Sequence, residues 1–311
     1  MKYIFQILSD IHLEFLISFD PSKLFNKFSV NSTNQIDPTN SIDSINPTNS
    51  TIEVNLILAG DIGNPFMSNY EEFLILCTQY YDNIFIIAGN HEFYNLNNQV
   101  HTMDQVINQI KNICSNINVT LDNSGKIYFL NNTVIKHKNI FILGTTLWSY
   151  VDSNSKKYSE FINDYNYINE FSIRQNNQLF DNNKIWLQET LNNIKLLTDQ
   201  TNQTNQTDQT DHIDQTNQTN SIKCIVITHH MPSFALVHKK FKSKLYSHMN
   251  AYFASDLDYL ITKPVNYWIY GHTHTQSRQL LNEIEMCCNP LGYSDEKSLY
   301  KSKYLIEIDT N

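Results

Sequence analysis

Ile84-Phe85-Ile86-Ile87-Ala88-Gly89-Asn90-His91-Glu92 runs from an apolar stretch straight into a compact group of residues that bind metals or move protons. Five apolar residues are too few for an ordinary helix and suit a strand buried on both faces. The same change recurs along the chain. Tyr3 to Leu8 precedes Asp10 and His12, and Val54 to Ala59 precedes Gly60 and Asp61. Ile222 to Thr228 precedes His229 and His230, and Tyr267 to Tyr270 precedes Gly271, His272 and His274. Loops converge at strand ends in open α/β sheets, so five junctions of this kind predict one shared site.

Asn139 to Leu143 reads as a further buried strand, and Ile284 to Cys288 and Tyr304 to Ile308 as C-terminal strands with no helix between them. Helical spacing of apolar residues predicts amphipathic helices at Tyr70 to Tyr80, Val100 to Ile113, Asn177 to Leu197 and Ala251 to Ile261. The alternation implies an α/β layered fold with a mixed sheet or a second sheet. Two tracts break it: Asn31 to Thr51, rich in Asn, Ser, Thr, Pro and Asp, and Thr198 to Ser221, a repeat of Thr-Asn-Gln and Thr-Asp-Gln. Neither carries enough apolar surface to offset its ordering entropy, so both are expected to be disordered insertions, at about 31–51 and 198–221, in a single domain spanning residues 1–311.

Formal net charge is -9, with a pI near 5.6, and the only arginines are Arg174 and Arg278. That balance argues against a long nucleic acid as partner. It leaves room for a small phosphorylated ligand if a metal supplies positive charge. Cys77, Cys114, Cys224, Cys287 and Cys288 show no Cys-x-x-Cys spacing and read as reduced core thiols of a cytoplasmic protein. The N-terminus lacks a cleavable leader pattern, and no apolar run reaches the ~20 residues of a membrane helix.

Taken in order, Asp10-x-His12, Gly60-Asp61, Gly89-Asn90-His91-Glu92, Thr228-His229-His230 and Gly271-His272-x-His274 resemble the successive signature motifs of the calcineurin-like metallophosphoesterases. The resemblance spans nearly the whole chain outside the two tracts. It implies a layered sandwich of two mixed β-sheets flanked by helices, with the active site at the strand C-terminal ends. It further implies that Asp10, His12 and His274 hold one metal ion, Asn90, His229 and His272 a second, and that Asp61 bridges them. His91 would be the acid that protonates the leaving oxygen or stabilises the charge developing on it, with Glu92 orienting a neighbour and His230 supporting the ligands.

A carboxylate, imidazole and amide donor set without thiolate suits divalent or trivalent manganese, iron or zinc. Two such ions ~3.5 to 4 Å apart can generate a bridging hydroxide that attacks a phosphomonoester or phosphodiester. Arg278 is either a substrate contact or a solvated strand residue. The basic run from His238 to Lys244 steers a phosphorylated substrate or lies in a solvated loop, and the aromatic-rich stretch from Trp148 to Phe171 is a pocket wall or packing. In Asn289-Pro290-Leu291-Gly292-Tyr293, Leu291 stands where the resemblance leads one to expect a cation. The competing reading is a non-catalytic metal-binding scaffold of the same fold that binds a protein.

Overall fold

β1 (Lys2–Leu8) is buried along both faces, and strand alternation divides its side chains between two apolar clusters. Tyr3, Phe5 and Ile7 meet Ile57, Phe85, Ile142, Ile225 and Ile269. Leu8, on the other face, joins the cluster that holds Leu56, Leu58 and the apolar stripe of the second helix. Covered on both sides, the strand is apolar from Tyr3 onwards except for Gln6, whose buried side chain donates to Leu24 O and accepts from Tyr81 Oη. This arrangement comes from a computed structural model that describes residues 1–16, 24, 52–96, 100–121, 124–207, 222–244, 246–296 and 299–309.

One sheet continues from β1 through β2 (Ile52–Ala59), β3 (Asn83–Ile87) and β4 (Lys126–Phe129), all parallel. The other sheet is ordered β5 (Thr133–His137), β6 (Ile140–Thr145), β7 (Lys223–Thr228), β8 (Tyr267–Ile269), β10 (Ile284–Cys288) and β9 (Ser277–Leu281). β6, β7, β8 and β10 run parallel, while β5 and β9 are antiparallel edges. β11 (Leu305–Asp309) pairs antiparallel with β1 and completes the first sheet. Both sheets are therefore mixed, and their facing side chains form the inner core, as the motif resemblance implied.

The helices are α1 (Ser68–Cys77), α2 (Met103–Thr120), α3 (Asp164–Tyr167) and α4 (Ile173–Thr207). α2 starts at a capping box, in which the Gln105 N–H donates to Thr102 Oγ1 and the Thr102 N–H to Gln105 Oε1. Its Val106, Ile110, Ile113 and Ile117 form the buried stripe that the periodicity predicted.

Several expectations need correction. Ala251 to Ile261 is not a helix: short 3-10 turns at Met249–Tyr252 and Asp258–Leu260 flank a bridge between Ala254 and Met231. Pairing with the strand-end segment after β7 overrides the helical spacing. α4 runs ten residues beyond the predicted end at Leu197, taking in the first part of the Thr/Asn/Gln repeat. Extending a formed helix costs little compared with starting one. Residues 31–51 and 208–221 lie outside the described residues. β4, β5 and β9 were not anticipated, because each is part-exposed and short. All five cysteines are free and buried. No helix among the described residues is long and apolar enough to cross a membrane.

Candidate metal centre

The C-terminal ends of β1, β2 and β3 in one sheet, and of β7 and β8 in the other, carry the predicted residues to one edge of the sandwich. Their turns are unusually tight. Asp10, His12, Asp61, His272 and His274 all have positive φ, between 46° and 67°, a conformation that costs a non-glycine residue about 1 to 3 kcal/mol and gathers at functional sites. Backbone bonds lock the turns together. Asp10 N–H donates to Gly60 O at 3.0 Å, His12 N–H to Asp61 O at 3.0 Å, and Gly271 N–H to His229 O at 3.0 Å.

Glycine is required at the crowded positions. A Cβ on Gly60, itself at φ 83°, would stand 2.5 Å from His229 Nδ1, and one on Gly89 would overlap Asp61 Oδ1. The glycines that punctuate the motifs thus make room for the polar side chains beside them.

Two groups of possible ligands meet at Asp61. In the first, His274 Nε2 lies 3.0 Å from His12 Nε2 and 3.5 Å from Asp10 Oδ1. In the second, His229 Nε2 lies 3.0 Å from Asn90 Oδ1 and 3.2 Å from Asp61 Oδ2. Asp61 Oδ2 is also 3.9 Å from His12 Nε2. Ligand atoms of Asp10, His12 and His274 lie within 4.8 Å of one another, as do those of Asp61, His229 and His272 and those of His12, Asp61 and His91. Asp10 Oδ2 and His272 Nε2 are buried without a hydrogen-bond partner among the described residues. Buried polar atoms are costly to leave unsatisfied, so both fit a bound cation. The donor set fits too, being nitrogen and oxygen without sulfur.

Residues outside the predicted set hold these side chains in place. Glu14 accepts from Nδ1 of both His12, at 3.2 Å, and His91, at 3.0 Å. Glu296 accepts from His274 Nδ1 at 2.6 Å, and the carbonyl of Ala59 from His229 Nδ1 at 2.9 Å. Each bond fixes a tautomer and turns Nε2 inward. Asn90 is fixed likewise, with its Nδ2 donating to Asp164 Oδ1 at 2.8 Å and to Tyr94 Oη at 3.1 Å, which leaves Oδ1 facing inward.

Glu92 is the orienting group that its position suggested. Its carboxylate accepts from the backbone N–H groups of Asp61, Ile62 and Gly89. Only Glu14, two residues beyond His12, and Asp164, inside the aromatic-rich stretch from Trp148 to Phe171, had a sequence signal of any kind. Glu296 and Tyr94 had none, because their roles depend on folding.

His91 stacks on Tyr94 and presents Nε2 to Tyr293 Oη at 3.1 Å. His230 is fully buried beside Trp148 and His272, with neither ring nitrogen hydrogen-bonded among the described residues. Leu291 packs on the core cluster, and its N–H donates to Ser9 O. Arg278 is not brought to the group. Its guanidinium on β9 pairs with Glu285 at 2.5 Å, donates to Leu305 O and lies over Tyr304. A solvated strand residue with local partners is what its position describes, and the substrate-contact alternative is corrected accordingly.

Electrostatics follow from burial and close charges. Burial works to raise Asp61, but His229 and His91 override it and hold the carboxyl well below the usual carboxylate range. Burial opposes charge on His229, yet Asp61 lifts it to about 10. A proton and a metal ion compete for the same Nε2 there. Burial drives His272 well below its ordinary value and His230 to about 3. His91 is raised: burial opposes it, and the charges of Asp61 and Glu14 win.

A two-sheet sandwich with this cluster of histidine, carboxylate and amide groups at one edge defines a metallophosphoesterase-type protein. Residues 5–276 match the calcineurin-like phosphoesterase family, and the chain belongs to that family. It is 33% identical over 314 residues to an uncharacterised protein of Acanthamoeba polyphaga mimivirus, an alignment covering 98% of this chain and 97% of that one. Among solved structures it resembles the phosphopantetheinyl hydrolase of Mycobacterium tuberculosis. The TM-score is 0.57 at 12% identity, over 99% of this chain and 96% of the other. A likeness at that identity concerns the fold.

Proposed function

We propose that the chain is a binuclear metal-dependent phosphoric ester hydrolase acting on a small phosphorylated substrate. Asp10, His12 and His274 hold one cation, Asn90, His229 and His272 the other, and Asp61 is shared. One observation carries the reading: Asp61 Oδ2 stands 3.2 Å from a nitrogen of one ligand group and 3.9 Å from a nitrogen of the other. A carboxylate oxygen so placed is positioned to serve two cations at once.

Cations of the manganese, iron or zinc kind would supply an acidified water and a counter-charge for phosphoryl oxygens. The chain's own residues do the rest. Asp61 Oδ1 accepts the His91 backbone N–H at 2.8 Å, so the shared carboxylate and the acid are held as one unit. His91, steadied by Glu14 on Nδ1, would give a proton from Nε2 to the leaving oxygen. Glu92 pins the backbone on which Asp61 and His91 sit.

The test is elemental analysis of the purified protein, followed by an aryl phosphate and a bis-aryl phosphate with manganese, iron and zinc in turn. The expected result is about two metal ions per chain and metal-dependent release of the aryl alcohol. Bound metal with no turnover of either ester under any of the three ions would sink the hydrolase reading.

A further inference from the structure

The candidate metal centre forms one end of a cavity of about 410 Å³. Asp61, Asn90, His91, His272 and His274 line that end. Met231, Val237, Phe241, Met249 and Phe253 form an apolar wall along part of the rest, which also carries Lys240 and polar residues such as His238, Asn250 and Thr275. The volume lies in the range of small-molecule sites. We infer that residues 237–244 and 246–253 select the substrate, and that the substrate is a small phosphate ester whose organic group is apolar, seated on this wall while its phosphoryl group faces the metal ligands. The inference rests on the hydrolase reading for the position of the phosphoryl group, and it adds what the rest of the molecule must be.

Three observations carry it. First, the wall touches the centre directly, because the Phe253 ring stacks on that of His272 with centroids 5.0 Å apart. An apolar group attached to a phosphoryl at the centre therefore has Phe253 beside it, next to His272. Second, the wall is built rather than loose. Met231 N–H donates to Phe253 O and Ser255 N–H to Met231 O, tying it to the turn after His229. Asn250 Nδ2 donates to Phe241 O at 2.9 Å, and Tyr252 Oη to the carbonyl of Ser155. Third, Phe241 is 37% exposed. An apolar ring kept on a cavity lining and not folded into the core is free to lose water against a ligand.

The basic run that the sequence left open finds a place here. Lys240 is exposed on the same lining, its Nζ 4.6 Å from the centroid of the Phe241 ring. An ammonium there favours an anionic substrate and does not disturb the apolar surface beneath it.

The experiment is calorimetric titration of the manganese-loaded full chain with ethyl-, butyl- and hexylphosphonate, which cannot be hydrolysed. It is repeated on Phe241→Ser and on Phe241→Ser with Met249→Ser. Affinity is expected to rise about threefold per methylene from the ethyl to the hexyl compound, and the double variant to flatten that rise to under about threefold overall. Chain-length-independent affinity in the unaltered protein, an unchanged slope in the double variant, or no detectable binding of hexylphosphonate overturns the inference. Because binding is read without turnover, a steep slope alongside inactivity towards every ester would leave the wall assigned and remove only the hydrolase reading.

Discussion

The Nε2 atoms of His12 and His274 face each other across 3.0 Å, although the two residues are 262 positions apart in the chain. Each ring is held from behind by a carboxylate, Glu14 for His12 and Glu296 for His274. Two imidazoles so oriented leave both Nε2 atoms available to a single cation, which the proposed function places there. Glu296→Gln and Glu14→Gln are each expected to weaken metal binding by about 10- to 100-fold, since partners that orient a ligand matter nearly as much as the ligand. Competition titration against a chromogenic chelator measures it. Unchanged affinity in both variants would remove the orienting role.

His91 is expected to act on the reaction without holding the ions strongly. His91→Ala should lower kcat by about 10²- to 10⁴-fold while metal content by elemental analysis stays near that of the unaltered protein. A variant that loses its metal in parallel with activity would make His91 a ligand, as its closeness to His12 and Asp61 allows.

Gly89→Ala tests the packing behind the centre. The added methyl would overlap Asp61 Oδ1 and stand 2.7 Å from His229 Cε1. Overpacking of this kind costs about 1 to 3 kcal/mol, read as a lower denaturant midpoint, and it should displace the shared carboxylate enough to cut metal affinity as well. A variant with native midpoint and native affinity would show that the turn relaxes freely.

Chelation offers a test that needs no substitution. A ligand that binds only the folded state stabilises it by mass action, so a chelator should lower the unfolding temperature of the metal-loaded protein, and added manganese should restore it. Identical melting with and without chelator would speak against cations in this site.

Glu53 ties the two sheets away from the site, accepting from Asn83 Nδ2 at 2.9 Å and lying 2.8 Å from His137 Nε2 on β5. Burial works to raise its pKa, but the nearby His137, then Asn55 and Asn83, lower it overall. A carboxyl depressed in the folded state adds stability that is full above its unfolded value of 4.5 and fades as the pH falls below that. Glu53→Gln is expected to cost on the order of 1 kcal/mol at neutral pH and to flatten the acid limb of the stability profile below about pH 4.5. An acid limb of unchanged slope would show that Glu53 does not contribute to it.

Much of this molecule was legible from residue order alone. A strand buried on both faces is mostly apolar, so β1, β2, β3, β6, β7 and β10 stand out despite single polar residues such as Gln6 and Asn55. The polar residues that end five of the strands are conspicuous against that background. Part-exposed edge strands such as β5 and β9 carry no such contrast. The Ala251 to Ile261 stretch has helical spacing that only the pairing of Ala254 with Met231 defeats.

The sequence by itself determined which residue types stand at the strand ends, and hence the family and the chemistry available, because those are properties of local pattern. Tertiary structure alone decided which of them meet. It placed Glu296 behind His274 and Asp164 behind Asn90, turned Arg278 towards Glu285, and set the apolar wall against His272. Asp164 and Asn90 lie 74 positions apart, and even Arg278 and Glu285, close in the chain, meet only because β9 folds back on β10. Such contacts depend on how two sheets stack and where their loops close, and local pattern carries no record of either.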